Sequence, residues 1–192
     1  MSVDGARVLP YAPGMNEGLL PRLFPAGWPS ARTASGRLLL DNVPDASPWV
    51  AIATAETHRV LPRDQVEASA WDVACLWLGK TPGAWVAAGE GRLAITAPNA
   101  AELVLDHRRL QLASTRLQAS TLLVSVPLRG KLSVMVDTPR HRALLCQEAR
   151  AAFDGAAGEK VCPYPLIVES GRPIGLVRAA PPSERPWWKP WA

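Results

Sequence analysis

Residues Thr121–Pro139 read TLLVSVPLRGKLSVMVDTP, and this stretch decides the fold. Leu122, Val124 and Val126 fall at alternate positions, as do Leu132, Val134 and Val136. Side chains alternate across a strand, so each triplet makes one apolar face. The two faces meet on one side of a hairpin when Val126 pairs with Leu132, Val124 with Val134 and Leu122 with Val136. That register leaves a loop from Pro127 to Lys131 in which Gly130 is free to take a positive φ. The second strand runs into a helix, with Thr138 as the expected N-cap and Pro139 as its first residue. Val124 and Val134 are expected to be buried against that helix.

Upstream, residues 1–36 are rich in Pro and Gly and read as an irregular arm. Leu19, Leu20, Leu23 and Phe24 suggest a short helical turn within it, stopped by Pro25. Residues 37–178 read as one domain. Arg37–Asn42 and Trp49–Ala55 are expected strands, separated by turn chemistry at Asp45, Ser47 and Pro48. A helix is expected from Pro62 to Leu78, with Val66, Ala70, Val73 and Trp77 as its apolar face and Gly79 as its stop. A hairpin follows, with strands Ala84–Ala88 and Arg92–Thr96 about a turn at Gly89–Gly91. Ala100–Ala113 reads as a helix with His107, Arg108 and Arg109 outside. After the central hairpin, Leu145, Ala149, Ala152 and Phe153 form the stripe of a helix ending at Gly155. Tyr164–Glu169 and Ile174–Arg178 form a last hairpin. Trp49–Ile95 and Leu132–Val177 thus echo one another as strand, helix, hairpin. The class is α+β: a mostly antiparallel sheet of hairpins with two or three covering helices.

The composition is 48% hydrophobic and the net charge +4, ordinary for a globular protein. Cys75, Cys146 and Cys162 have neither disulfide nor metal-ligand spacing, which fits a reducing compartment. No basic start with an apolar run opens the chain, and no stretch is apolar enough to span a bilayer. A cytoplasmic location without membrane contact is expected. No cofactor-binding motif appears: there is no Walker loop, and Gly89-Glu90-Gly91 leads into a strand rather than a helix. His58, His107 and His141 each neighbour an arginine and read as solvated basic positions. Cys75 and Cys146 read as buried thiols, and Cys162, before Pro163, as the one plausible exposed thiol. No catalytic or metal-ligating set emerges.

Two features point to partners. Arg108, Arg109, Arg129, Lys131, Arg140 and Arg142 fall close together in sequence and could form a basic patch able to engage phosphates. Residues 179–192 form a tail in which Pro181–Ala192 reads PPSERPWWKPWA. Of eight tryptophans, three lie in the last six residues, between prolines that favour extended backbone. Trp187, Trp188 and Trp191 are candidate anchors for another protein, with Lys189 setting charge. The alternative is a strap folded onto its own domain. Trp71, off the expected helix stripe, is either a flank of the core or a further surface anchor.

The V-P-x-R-x-x-L pattern at Val126, Pro127, Arg129 and Leu132 resembles the YtpQ-like family of uncharacterised bacterial proteins. The resemblance spans about Leu19–Asp137. It departs at Gly130, where that family usually has an acidic residue. It implies an α+β fold and brings no catalytic set with it. The leading expectation is therefore a non-enzymatic bacterial interaction protein: an adaptor, an assembly component or an immunity-type protein. The alternatives are a nucleic-acid-associated protein using the Arg-rich surface, and a cysteine or carboxylate hydrolase.

Overall fold

The computed structural model describes residues 18–178, apart from Ala55 and Glu90. In chain order the elements are β1 (Leu19–Phe24), β2 (Arg37–Leu38), β3 (Trp49–Thr54), α1 (Ala68–Lys80), β4 (Val86–Ala87), β5 (Arg92–Thr96), α2 (His107–Leu117), β6 (Thr121–Ser125), β7 (Lys131–Val136), α3 (Pro139–Gly155), β8 (Leu166–Glu169) and β9 (Arg172–Leu176). They form two antiparallel sheets, one ordered β1-β3-β2 and the other β4-β5-β7-β6-β8-β9. The protein is α+β.

The central hairpin has the expected register, with Leu122 opposite Val136 and Val124 opposite Val134. Thr138 caps α3 by accepting the His141 N–H at 3.2 Å. The helix lies on the other face from the one expected, however. Val124 and Val134 are fully buried, but in the cluster that holds Leu103, Leu110 and Ala113. Leu110 and Ala113 belong to α2, and Leu103 to the 3-10 turn Ala101–Leu105 before it. Helix α3 instead places Leu145 on Leu123 and Met135, the alternate positions of the same strands. Both faces of the hairpin are buried, and its strands are accordingly near-continuous apolar runs.

Leu19–Phe24 is a strand, not a helical turn, so the expected irregular arm contributes to the first sheet. Each of its six residues pairs with β3, with Pro21 opposite Ile52. As an edge strand it tolerates Pro21, whose missing N–H interrupts no inner ladder. Helix α1 begins at Ala68, after a 3-10 turn at Arg63–Gln65, and contains Gly79. Its buried positions are Ala70, Ala74 and Leu78, so of the expected Val66, Ala70, Val73 and Trp77 only Ala70 is fully buried. Most of this helix is apolar, so periodicity points weakly, and the two alanines let it sit close on Leu19 and Ile52. The helix expected over Ala100–Ala113 is divided at Asp106, whose carboxylate accepts the Arg109 N–H at 3.1 Å and starts α2.

The two echoing segments keep their order, but β3 lies in the small sheet and β7 at the centre of the large one. The hairpins β4–β5 and β8–β9 flank the central hairpin on its two sides. Ser170 and Gly171 turn the last one with φ of 50° and 80°. A Cβ on Gly171 would lie 2.7 Å from His107 O, so this turn sits on the start of α2.

Candidate functional site

Two constellations of polar side chains lie where elements of this frame meet. The first joins the sheets. Glu102, in the 3-10 turn before α2, is 1% exposed. One of its oxygens accepts the Leu23 N–H of β1 at 3.3 Å and an Arg129 N–H. Arg129 also donates to Leu23 O at 2.9 Å and to Glu159. Arg22 of β1 reaches the same Glu159 at 3.1 Å. Burial pushes the Glu102 carboxyl up, against the opposing pull of Arg129 and of the backbone N–H groups it accepts. Arg22 Nε and Glu102 Oε2 have no partner among the described residues. Both side chains line a cavity of about 10 Å³, with Thr81 and Asn99, about the space of one water molecule. This constellation has no room for a substrate. It is a tie between β1, the Ala101–Leu105 turn, the β6–β7 loop and the segment after α3.

The second constellation is open. On the α3 face of the large sheet, Ala94, Ser133 and Ser125 share one rung across β5, β7 and β6. Above it stand Ala149 and Ala152 of α3. Together they leave a groove of about 250 Å³ running along the strands. Arg92 closes one end, paired with Glu148 at 2.8 Å. Thr96 and Lys131 stand opposite each other at the other end. The groove offers hydroxyls, one carboxylate, two cations and an apolar wall, and can receive large side chains.

The residues singled out in the sequence are dispersed. Arg129 is 8% exposed and committed to carboxylates, so it is no surface cation. Arg109, expected outside, is largely buried; it donates to Asp106, to Gly83 O and to Thr81 O. Arg142 is exposed and donates two hydrogen bonds to the Asp137 carboxylate at 2.6 and 2.7 Å. That pairing holds the Asp137 carboxyl below its ordinary range. Arg108, Lys131 and Arg140 are exposed. Trp71 is half-buried against the core, with the Arg37 guanidinium 3.8 Å above its ring, and is thus a core flank. Trp187, Trp188, Lys189 and Trp191 lie outside the described residues.

Cys146 is buried as expected, but the other two thiols are reversed. Cys75 is exposed, whereas Cys162 is 1% exposed and donates to Tyr164 O at 3.2 Å. Burial raises the Cys162 thiol to about 11. A thiol so placed is a poor nucleophile at neutral pH. His141 Nδ1 lies 2.8 Å from Val136 O, which holds the ring at the start of α3. Among the described residues no three of His, Cys, Asp or Glu group as metal ligands. No described helix is long and apolar enough to cross a membrane.

Sequence reasoning passed over Glu102, Arg22 and Glu159, and the groove residues Arg92, Glu148, Ser125 and Ser133. Two signals were available. Glu102 interrupts the apolar run Ala100–Leu105, and an acid there needs a buried partner. Ser125 and Ser133 are small polar residues inside two otherwise apolar strands, on one rung.

Set against known proteins, the chain matches no family model, no curated protein and no solved structure.

Proposed function

We propose that this is a non-enzymatic protein–protein interaction protein of a bacterial cytoplasm, acting as an adaptor, an assembly component or an immunity-type protein. Its docking element is the segment Pro181–Ala192, with Trp187, Trp188 and Trp191 as anchors and Lys189 setting charge. The observation that carries this reading is the segregation of tryptophan. Three indoles crowd the last six residues between prolines. The other five are engaged by the body: Trp28 stacks on Phe24 at 4.0 Å, Trp71 lies under Arg37, Trp77 lies near Lys80, Trp85 is buried with its Nε1–H donating to Arg109 O, and Trp49 pairs within the first sheet. Indoles are costly to leave in water and are the commonest anchors of interfaces. Prolines pre-extend a docking segment and reduce the entropy lost when it binds.

The nucleic-acid reading is weaker. Of the six residues in that basic set, Arg109, Arg129 and Arg142 are already paired with carboxylates. Salt separates the two readings, because phosphate binding weakens steeply with salt and indole docking does not. The test is affinity capture from the source cells with the full chain and with a chain lacking Pro186–Ala192, at low and high salt. A protein retained by the full chain at both salts and lost on truncation supports tail docking. Nucleic acid retained by both chains and eluted by salt would refute it.

A further inference from the structure

The groove is a gap in an otherwise filled helix–sheet interface. One step along the same face, Leu123 and Met135 fill the space beneath Leu145. At the gap the sheet offers only Ala94, Ser133 and Ser125, and the helix Ala149 and Ala152. The volume of about 250 Å³ is below the roughly 300–1,000 Å³ of sites that enclose a whole small-molecule ligand. It suits an anchoring side chain. The lining is apolar along Pro127 and the alanines, with hydroxyl and carboxylate acceptors beside them and cations at both ends. That complements an indole, which has a flat apolar body, one N–H donor and a π-face attractive to cations.

The described chain ends on this face, nine residues before the first tail indole, Trp187. Val177 packs against the group of Leu123, Met135 and Leu145. It follows Leu176, which shares a rung with Leu166 and Val124. The described chain therefore ends level with Ser125, on the groove's own side of the sheet. Two strand spacings separate β9 from β6, about 10 Å. Helix α3 stands between, touching Val177 O through Cys146 Sγ at 3.5 Å and walling the groove with Ala149 and Ala152. Nine residues lead from Arg178 to Trp187. At about 3.1 Å each in extended proline-rich backbone they reach about 28 Å, enough to round a helix about 10–12 Å across.

We infer that this groove is an intramolecular seat for an indole of the segment 181–192, so that the docking tail is held on its own body until a partner displaces it. The inference rests on reading the tail as a docking element, and it adds the regulation of that element. The segment serves the seat and the partner in turn, and the partner must compete with the body.

The test uses a chain truncated after Arg178 and a synthetic peptide of residues 181–192, with binding followed by calorimetry. The truncated chain should bind the peptide, and the full chain should bind it at least tenfold more weakly because its seat is taken. Ala152→Trp, which fills the groove from the helix side, should abolish binding to the truncated chain. Ser133→Leu, which fills it from the sheet side, should do the same, and a melting curve for each variant confirms folding. Three results would each overturn the inference: no binding to the truncated chain, equal binding by the full chain, or undiminished binding by folded groove-filled variants. A full chain that is dimeric where the truncated one is monomeric would also overturn it, by placing the tail on a second copy. The assay contains no partner, so its failure is separable from failure of the tail to capture one.

Discussion

Arg129→Met removes the cation at the centre of the tie between the two sheets. Glu102, at 1% exposure, then keeps a carboxylate whose remaining counter-charge is the weaker pull of Arg22, with the Leu23 N–H at 3.3 Å as a hydrogen-bond partner. Leu23 O loses its donor as well. Breaking one side of a buried ion pair costs about 3–5 kcal/mol, whereas Glu159 is exposed and regains water. Against an ordinary domain stability of about 5–15 kcal/mol this is a large fraction. Urea unfolding followed by far-UV circular dichroism should show the midpoint falling with an unchanged slope. Arg129→Met combined with Glu102→Leu removes both charges and should recover at least about 2 kcal/mol of the loss, because an apolar pair carries no desolvation penalty. The single variant should also be pH-dependent. Burial already raises Glu102, and without Arg129 it rises further. The folded state then holds a proton that the unfolded state releases, so stability falls as pH rises from the unfolded value to the folded one. The penalty is thus complete above that window and shrinks in acid. A loss under about 1 kcal/mol, or a double variant no better than the single one, would refute this account of the tie.

Val134→Asp puts an unpaired charge among Leu103, Leu110 and Leu166 and should cost several kcal/mol; a cooperative melt near the wild-type temperature would contradict its burial there. Native thiol titration with an aromatic disulfide should find Cys75 first, with Cys146 and Cys162 reacting only after denaturation; fast labelling that survives Cys75→Ser would contradict this. Asp137 is held low by Arg142, so its contribution is present above the usual aspartate range and lost as pH falls through its folded value. Asp137→Asn should therefore lower stability at neutral pH and flatten the acid limb of a stability–pH curve, and an unchanged limb would show the pair to be inert.

The hairpin at Thr121–Val136 was legible because its alternation, loop length and Thr138-Pro139 cap all agree. What alternation could not say is which helix covers which face: Leu123 and Met135 are as apolar as Val124 and Val134, and strands buried on both sides carry no sidedness. Leu19–Phe24 was misread because LLPRLF fits a helical turn as well as a strand, and its pairing partner Trp49–Thr54 lies far along the chain. The face of α1 was misplaced because nearly every position is apolar, and the choice fell to Ala70 and Ala74, where small size allows close approach. In the site, charge clustering in sequence did not survive folding. Arg129 is drawn inward by Glu102, an acid 27 residues away, and Arg109 is turned onto the carbonyls of Thr81 and Gly83. The groove left only Ser125 and Ser133 as a trace in the sequence, because it is a coincidence of small residues on four elements, Ala94, Ser125, Ser133 and Ala149.

The claim that the tail is the docking element meets its most direct test once the captured protein is purified. The measurement is the dissociation constant of that protein for the isolated 181–192 peptide, beside those for the full chain and for the chain ending at Arg178. The account predicts that the peptide binds at least as tightly as the full chain, because no groove competes for its indoles. It also predicts that the truncated chain does not bind. Binding by the truncated chain at full strength, with none by the peptide, would place the docking surface on the body and contradict the account.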